Sequence, residues 1–143
     1  MKEFNVLVVD DEQEFRELTV KRLNKRGIQA KGAENGLDAL EILEKNNQND
    51  VILLDVKMPG IDGIETLRQI RAKYPLMEVV LLTGHASVDS GIEGMKLGAF
   101  DYLMKPIELD PLLEKLGEAY EKKRMHQEKI EQAQIKKFMS MPT

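Results

Sequence analysis

The chain has 143 residues, 42% of them hydrophobic and 32% charged, with a formal net charge of −4; this describes one globular domain with room for a core and gives no domain-level basic surface for nucleic acid. It contains no cysteine, which excludes a disulfide framework, a thiolate nucleophile and a cysteine zinc site, and His85 and His126 stand too far apart for a local metal motif. No apolar run reaches membrane-spanning length, and Met1-Lys2-Glu3 leads into a short strand rather than a signal peptide, so a cytoplasmic protein without a membrane partner is expected.

Phe4 to Val9 is a short apolar run that ends in acid, Asp10-Asp11-Glu12. From Glu12 to Arg26, Phe15, Leu18 and Leu23 fall on one stripe among charged residues, which predicts a helix, and Gly27 stops it. Residues 28–33 read as a weaker strand. Asn35-Gly36 has the composition of a hairpin turn, but Leu37, Leu40 and Leu43 follow at helical spacing, so Asn35 is expected to start a helix.

Val51-Ile52-Leu53-Leu54-Asp55 is apolar without alternation and short, the pattern of a strand buried on both faces. It ends in a carboxylate, and Pro59, Gly60, Asp62 and Gly63 after it are turn residues. A helix follows with Ile64, Leu67, Ile70 and Tyr74 on one face, ended before Pro75. Glu78 to Leu82 is the fourth strand and runs into Thr83-Gly84-His85.

The next helix carries Val88, Ile92 and Met95 as its stripe, with Gly91, Gly94 and Gly98 in or at the end of it. Each interior glycine costs about 0.8–1 kcal/mol against alanine, so this helix is expected to be the least stable. Phe100 to Met104 is the fifth strand, closed by Lys105-Pro106. Asp110-Pro111 suggests an N-cap and first helical position for a last helix, whose face is Leu109, Leu112, Leu113, Leu116, Ala119 and Tyr120. Beyond Glu121 the stripe fades into Lys, Glu, Gln and Arg with opposite charges three or four apart, as in an exposed helix. The expected division is a domain over residues 1–121 and a charged helical extension with a disordered C-terminus over 122–143. The extension reads either as a solvated helix that frays or as a signalling helix toward a partner or further domain.

Five alternations of strand and helix predict a doubly wound α/β fold around a five-stranded parallel sheet. Right-handed crossovers with short loops bring all strand-end loops to one edge. Asp10, Asp11, Asp55, Thr83 and Lys105 all stand at or just past strand ends, where open α/β sheets place their chemistry.

Carboxylates within a few ångströms repel: two unit charges 4 Å apart cost about 1 kcal/mol in water and about 4 kcal/mol at an effective dielectric of 20. A cation relieves this, and an all-oxygen set with places left for water suits Mg²⁺ better than zinc or a calcium cage. Asp11 has another reading, since Asp11-Glu12-Gln13-Glu14 has capping-box spacing. Lys105 alone reads as a solvated head on an apolar stem, and Thr83 alone as a turn-closing hydroxyl. On one edge with metal-binding acids they supply a cation and a hydroxyl facing an anion, the recipe for phosphoryl transfer, with Asp55 as a nucleophile able to form an aspartyl phosphate.

Asp10-Asp11, Asp55 with Met58-Pro59-Gly60-Ile61-Asp62-Gly63, Thr83-Gly84 and Lys105-Pro106 together resemble the receiver domain of two-component response regulators, over residues 4–121. The wording around Thr83-Gly84-His85-Ala86 and Gly98-Ala99-Phe100-Asp101-Tyr102-Leu103 is similar to receivers of bacterial enhancer-binding transcription activators. The resemblance implies the (βα)5 flavodoxin-like receiver fold and a phosphoacceptor switch, not an enzyme, that assists its own phosphorylation and dephosphorylation. Asp55 would accept a phosphoryl group from a sensor histidine kinase or phosphotransfer protein. Mg²⁺ would be held by Asp10, Asp11, Asp55 and the backbone carbonyl of Lys57. Thr83, Lys105 and the backbone amides of Lys57 and Gly84 would contact the phosphoryl oxygens. Thr83 and Tyr102 would be the switch pair, although Tyr102 alone reads as a core or edge-strand aromatic. The side chains of Lys57 and His85 flank the site and either approach the phosphoryl group or point to solvent.

The output partner is unnamed by the sequence; residues 88–116 or the C-terminal helix would meet it, and a homodimer is left open. The alternative is the receiver part of a transcription activator whose DNA-binding output is absent, since these residues hold no helix-turn-helix or ATPase motif and no direct nucleic-acid contact is expected. A Mg²⁺-dependent aspartyl phosphatase ranks below both, because such enzymes carry Asp-x-Asp on the first strand.

Overall fold

The computed structural model describes residues 3–46, 48–57, 62–84 and 88–142. Five strands, β1 (Asn5–Val9), β2 (Gln29–Ala33), β3 (Val51–Asp55), β4 (Glu78–Thr83) and β5 (Asp101–Met104), alternate with five helices. The helices are α1 (Gln13–Lys25), α2 (Gly36–Lys45), α3 (Gly63–Lys73), α4 (Val88–Lys96) and α5 (Leu109–Met139). All strand pairs are parallel and the order is β2-β1-β3-β4-β5, the doubly wound flavodoxin-like fold expected from the alternation.

Side-chain alternation along the strands feeds two cores. Leu7, Val9, Ile52, Leu54, Val79 and Leu81 point to the face covered by α2, α3 and α4. Val6, Val8, Leu53, Val80 and Leu82 point to the face covered by α1 and α5, where Leu23, Leu112, Leu113 and Leu116 meet them. Covering both faces of β3 and β4 is why those strands run apolar without alternation from Val51 to Leu54 and from Val79 to Leu82.

Local signals set most boundaries. Gly27, with φ of 86°, takes the left-handed position after α1, and the Ile28 amide reaches back to the Leu23 carbonyl at 3.1 Å, closing the helix end. Asn35 and Asp62 cap α2 and α3, accepting from the amides of Asp38 at 2.9 Å and Glu65 at 2.8 Å.

Four expectations are corrected. Asp11 is not the cap of α1: Glu12 holds that position without a side-chain bond, and the Glu12 amide donates to Asp10 Oδ1 at 2.9 Å. Leu18 and Leu37 are exposed, whereas Leu23 and Leu43 face the core as expected with Phe15 and Leu40 packed against it, and Thr19 and Ala39 take the inward positions that Leu18 and Leu37 leave. α5 starts at Leu109 behind Glu108 rather than at Pro111. Proline fits because the first helical amides have no partner within the helix. The fourth correction is the face of α4. Gly91 and Gly94 are buried against the sheet, while Ile92 and Met95 are 47% and 40% exposed. A Cβ at Gly94 would collide with the Leu81 side chain, and one at Gly91 would meet the Tyr102 ring at 3.2 Å. The helix lies so close to β4 and β5 that its glycines must face inward, which turns Ile92 and Met95 out.

α5 runs through the expected boundary at 121/122 without a break. Phe4 and Tyr120 stack with centroids 4.6 Å apart. Past them, Lys122 lies 3.6 Å from Glu78 and Lys123 lies 2.6 Å from Asp50, so the extension is tied to the N-terminal edge of the sheet. Among the described residues, no helix is long and apolar enough to cross a membrane.

Candidate functional site

Register builds the site. Val9 is level with Leu54, so the residues that follow them, Asp10 and Asp55, come level at the carboxyl edge. Asp55 is paired with Leu82 and Thr83 with Met104, which steps Thr83 and then Lys105 one residue further out on β4 and after β5. The ladder continues to that point through the Lys105 amide, which donates to the Thr83 carbonyl at 2.8 Å. The Lys105–Pro106 peptide is cis.

Asp10 is fully buried, Asp55 is buried and Asp11 is exposed, and each offers a carboxylate oxygen within 4.8 Å of the others. Burial, reinforced by the charge of Asp10, raises the Asp55 pKa from its ordinary 3.8 to about 6, against the opposing pull of Lys105 and the Lys57 amide. That amide donates to Asp55 Oδ1 at 3.2 Å. The Lys105 ammonium lies 2.7 Å from Asp10 Oδ2 and 3.6 Å from Asp55 Oδ2. Burial pulls the lysine pKa down, but its close contacts with Asp10 and Glu12 and the charges of Asp10 and Asp55 outweigh it, so it sits above the ordinary lysine value.

The fit to a divalent cation rests on the donors. Asp10 Oδ2 is buried and has no hydrogen-bond partner of good geometry among the described residues, only the ion pair with Lys105. A buried carboxylate oxygen without a hydrogen bond, beside two more carboxylates, is a set that a hard cation satisfies.

Thr83 is buried, and its hydroxyl is turned toward the Leu103 carbonyl on β5 at 3.5 Å. Tyr102 is half-buried and its ring lies over Gly91. Gly84 is exposed at the mouth of a groove of about 490 Å³ between α1 and the start of α5, which Phe15, Leu18, Lys105 and Ile107 also line. The Lys57 side chain is exposed. His85 and the turn at 58–61 lie outside the described residues.

Four contributors were not legible beforehand. Glu12 Oε1 accepts from Lys105 at 3.0 Å, and the Phe15 ring lies under the same ammonium, 4.4 Å from its centroid. Arg16 donates to the Asp10 carbonyl at 2.8 Å, tying the acidic loop to α1. Gly63 leaves no room for a side chain, since a Cβ would meet the Asp55 carbonyl and lie 2.6 Å from Val56 Cα. Only Gly63 carried a signal, a glycine directly behind a capping aspartate.

The sequence model described as the response regulator receiver domain matches residues 6–117. A putative NtrX-like response regulator of Rickettsia felis is 37% identical over 92% of this chain and 28% of its own length. The DNA-binding transcriptional regulator NtrC of Escherichia coli K12 is 38% identical over 73% of this chain and 22% of its own. The chain thus spans about a quarter of the length of these curated relatives. Among solved structures, a response regulator receiver domain protein of Clostridium thermocellum superposes with a TM-score of 0.82 at 35% identity, covering 85% of this chain and 98% of that one. NtrX of Brucella abortus gives 0.84 at 27% identity, covering 89% and 29%. With the motif order, the sheet register and these matches in agreement, the chain belongs to the response regulator receiver domain family of two-component signalling.

Proposed function

We propose that Asp55 is the phosphoacceptor of this receiver and that a sensor histidine kinase or phosphotransfer protein is the donor. The observation that carries this reading is the convergence on Asp55 of two further carboxylates within 4.8 Å and one ammonium at 3.6 Å, at the end of a buried strand. A carboxylate oxygen of Asp55 attacks phosphorus, the P–N bond to the donor imidazole breaks, and its electron pair leaves with the nitrogen. The raised pKa leaves Asp55 ionised at neutral pH yet more basic than an ordinary carboxylate, which favours it as a nucleophile. Lys105 stands ready to neutralise a phosphoryl oxygen, with the Thr83 hydroxyl and the Lys57 and Gly84 amides as further donors. Asp10, Asp11, Asp55 and the Lys57 carbonyl would hold Mg²⁺, which supplies charge neutralisation when bound. Water attack on the acyl phosphate regenerates Asp55 and releases phosphate.

The orientation of Thr83 supports a switch through Thr83 and Tyr102. Its hydroxyl faces the Leu103 carbonyl; a phosphoryl group draws it toward the site and frees space beside β5 for Tyr102. The output surface of residues 88–116 then includes the exposed Ile92, Met95 and Met104. If amide exchange over residues 88–105 stayed unchanged on adding beryllofluoride and Mg²⁺, this surface would be wrongly assigned. The relatives, more than three times as long and described as response regulators or DNA-binding regulators, favour a second reading of the output: a further domain reached through α5.

Acetyl phosphate with Mg²⁺, followed by intact mass, tests the acceptor. One added phosphoryl group that disappears in Asp55→Asn is expected, and labelling that survives the substitution sinks the assignment.

A further inference from the structure

Lys105 is gripped by more groups than a phosphate-binding lysine needs. Asp10 Oδ2 at 2.7 Å and Asp55 Oδ2 at 3.6 Å belong to the acidic site. Glu12 Oε1 at 3.0 Å and the Phe15 ring at 4.4 Å come from the start of α1. We propose that Glu12 and Phe15 are positioning residues for Lys105 with opposite effects: Phe15 supports the ammonium beside Asp55, and Glu12 competes with an incoming phosphoryl group for it. This rests on Asp55 being the phosphoacceptor.

A lysine head rides on a flexible four-carbon stem with three rotatable donors, so its aim must be imposed by neighbours. An aromatic face beneath the ammonium restricts it without consuming a donor, because the attraction is to the ring quadrupole. Glu12 does consume one. Its side chain is 66% exposed where that of Asp10 is fully buried, so Glu12 is the partner able to swing into water and release the lysine. Its charge also repels an arriving dianion. Asp10 faces the neighbouring carboxylates as well and gains a partner in any cation they hold, which leaves Glu12 as the residual competitor. The exposure of Glu12 keeps its effect modest.

The test titrates the full chain with beryllofluoride in the presence of Mg²⁺, observed by NMR, for the wild type, Asp55→Asn, Glu12→Gln, Phe15→Leu and Phe15→Tyr. Glu12→Gln is expected to tighten binding about two- to five-fold. Phe15→Leu is expected to weaken it by about the same factor and Phe15→Tyr to restore it. A role limited to stability would move both substitutions the same way. Without ligand, the Lys105 ε-methylene protons should be shifted upfield by the ring in the wild type and in Phe15→Tyr, and not in Phe15→Leu. An ordinary shift in the wild type overturns the role of Phe15 even if Phe15→Leu fails to fold. Unchanged or weaker binding by Glu12→Gln overturns the competition while the acceptor reading stands. Binding that is equal in the wild type and Asp55→Asn overturns the acceptor reading and the competition with it, and the ligand-free shift still decides the placement of Phe15.

Discussion

Gly91 and Tyr102 face each other across the gap between α4 and β5, and a Cβ on Gly91 would stand 3.2 Å from two carbons of the tyrosine ring. The glycine is therefore the seat of the ring. In Gly91→Ala, the helix gains about 1 kcal/mol of propensity, and the added methyl pushes a half-buried ring that is able to move. The expected outcome is a stability change within about 1 kcal/mol of zero with a marked shift of the Tyr102 ring resonances in the unphosphorylated chain. Unmoved resonances would show that the ring does not rest there.

Gly63 differs because its neighbours are backbone. A Cβ would meet the Asp55 carbonyl and stand 2.6 Å from Val56 Cα and 2.9 Å from the Val56 carbonyl. Neither strand end nor helix start yields as a side chain does. Gly63→Ala is expected to destabilise by about 2–3 kcal/mol and to weaken Mg²⁺ binding, since the displaced segment carries Asp55 and Lys57. Denaturant unfolding and a Mg²⁺ titration check this, and a wild-type midpoint would refute the close approach.

The residues that were legible share one property: their signal is periodic or terminal. Strands β1, β3 and β4 announce themselves by apolar runs buried on both faces, and Asp10, Asp55, Thr83 and Lys105 by standing at strand ends that topology must gather. What escaped depends on distance between elements. Nothing in Val88, Ile92 and Met95 reveals that α4 lies too near Leu81 and Tyr102 for a side chain to face inward. Lys105 and Glu12 are 93 positions apart, so no local pattern pairs them. Lys123 reads as one more charge on an exposed helix until Asp50 is seen beside it.

Asp55 gives the fold a specific pH signature. Its folded pKa of about 6 lies above the ordinary 3.8, so between these values the folded state holds a proton that the unfolded chain has released. Stability attributable to this group therefore falls as pH rises from about 4 to about 6 and is level above that. Asp55→Asn keeps an oxygen for the Lys57 amide and removes the repulsion with Asp10 and Asp11. It should match the wild type near pH 4 and exceed it by roughly 1–2 kcal/mol at pH 7, after discounting for water at this edge. Mg²⁺ affinity of the wild type should rise with pH through about 6, because binding expels that proton. Chemical denaturation across this range checks the first claim, and a constant difference between the two proteins would contradict it.

The pair Lys123–Asp50 decides how far α5 behaves as part of the domain. Their atoms are 2.6 Å apart and the side chains are only 18% and 16% exposed, a setting in which an ion pair counts for more than on the open surface. Asp50 also accepts from the Asn5 amide at 2.8 Å, so its carboxylate is held where the lysine finds it. Lys122 adds a contact to the buried Glu78 at 3.6 Å. In Lys123→Ala, Asp50 keeps its backbone partner, which limits the loss to about 1–2 kcal/mol. The larger effect should be local. Beyond residue 124 the helix is exposed on every side, and Lys122 and Lys123 tie it to the sheet edge by ion pairs. Amide exchange from residue 121 to 139 should accelerate in Lys123→Ala while β1 and β3 keep their protection. Equal exchange in both proteins would mean that the extension is held by its own helical pairs, such as Arg124 with Glu121 and Glu128, and that a signal leaving through α5 does not pass by this clamp.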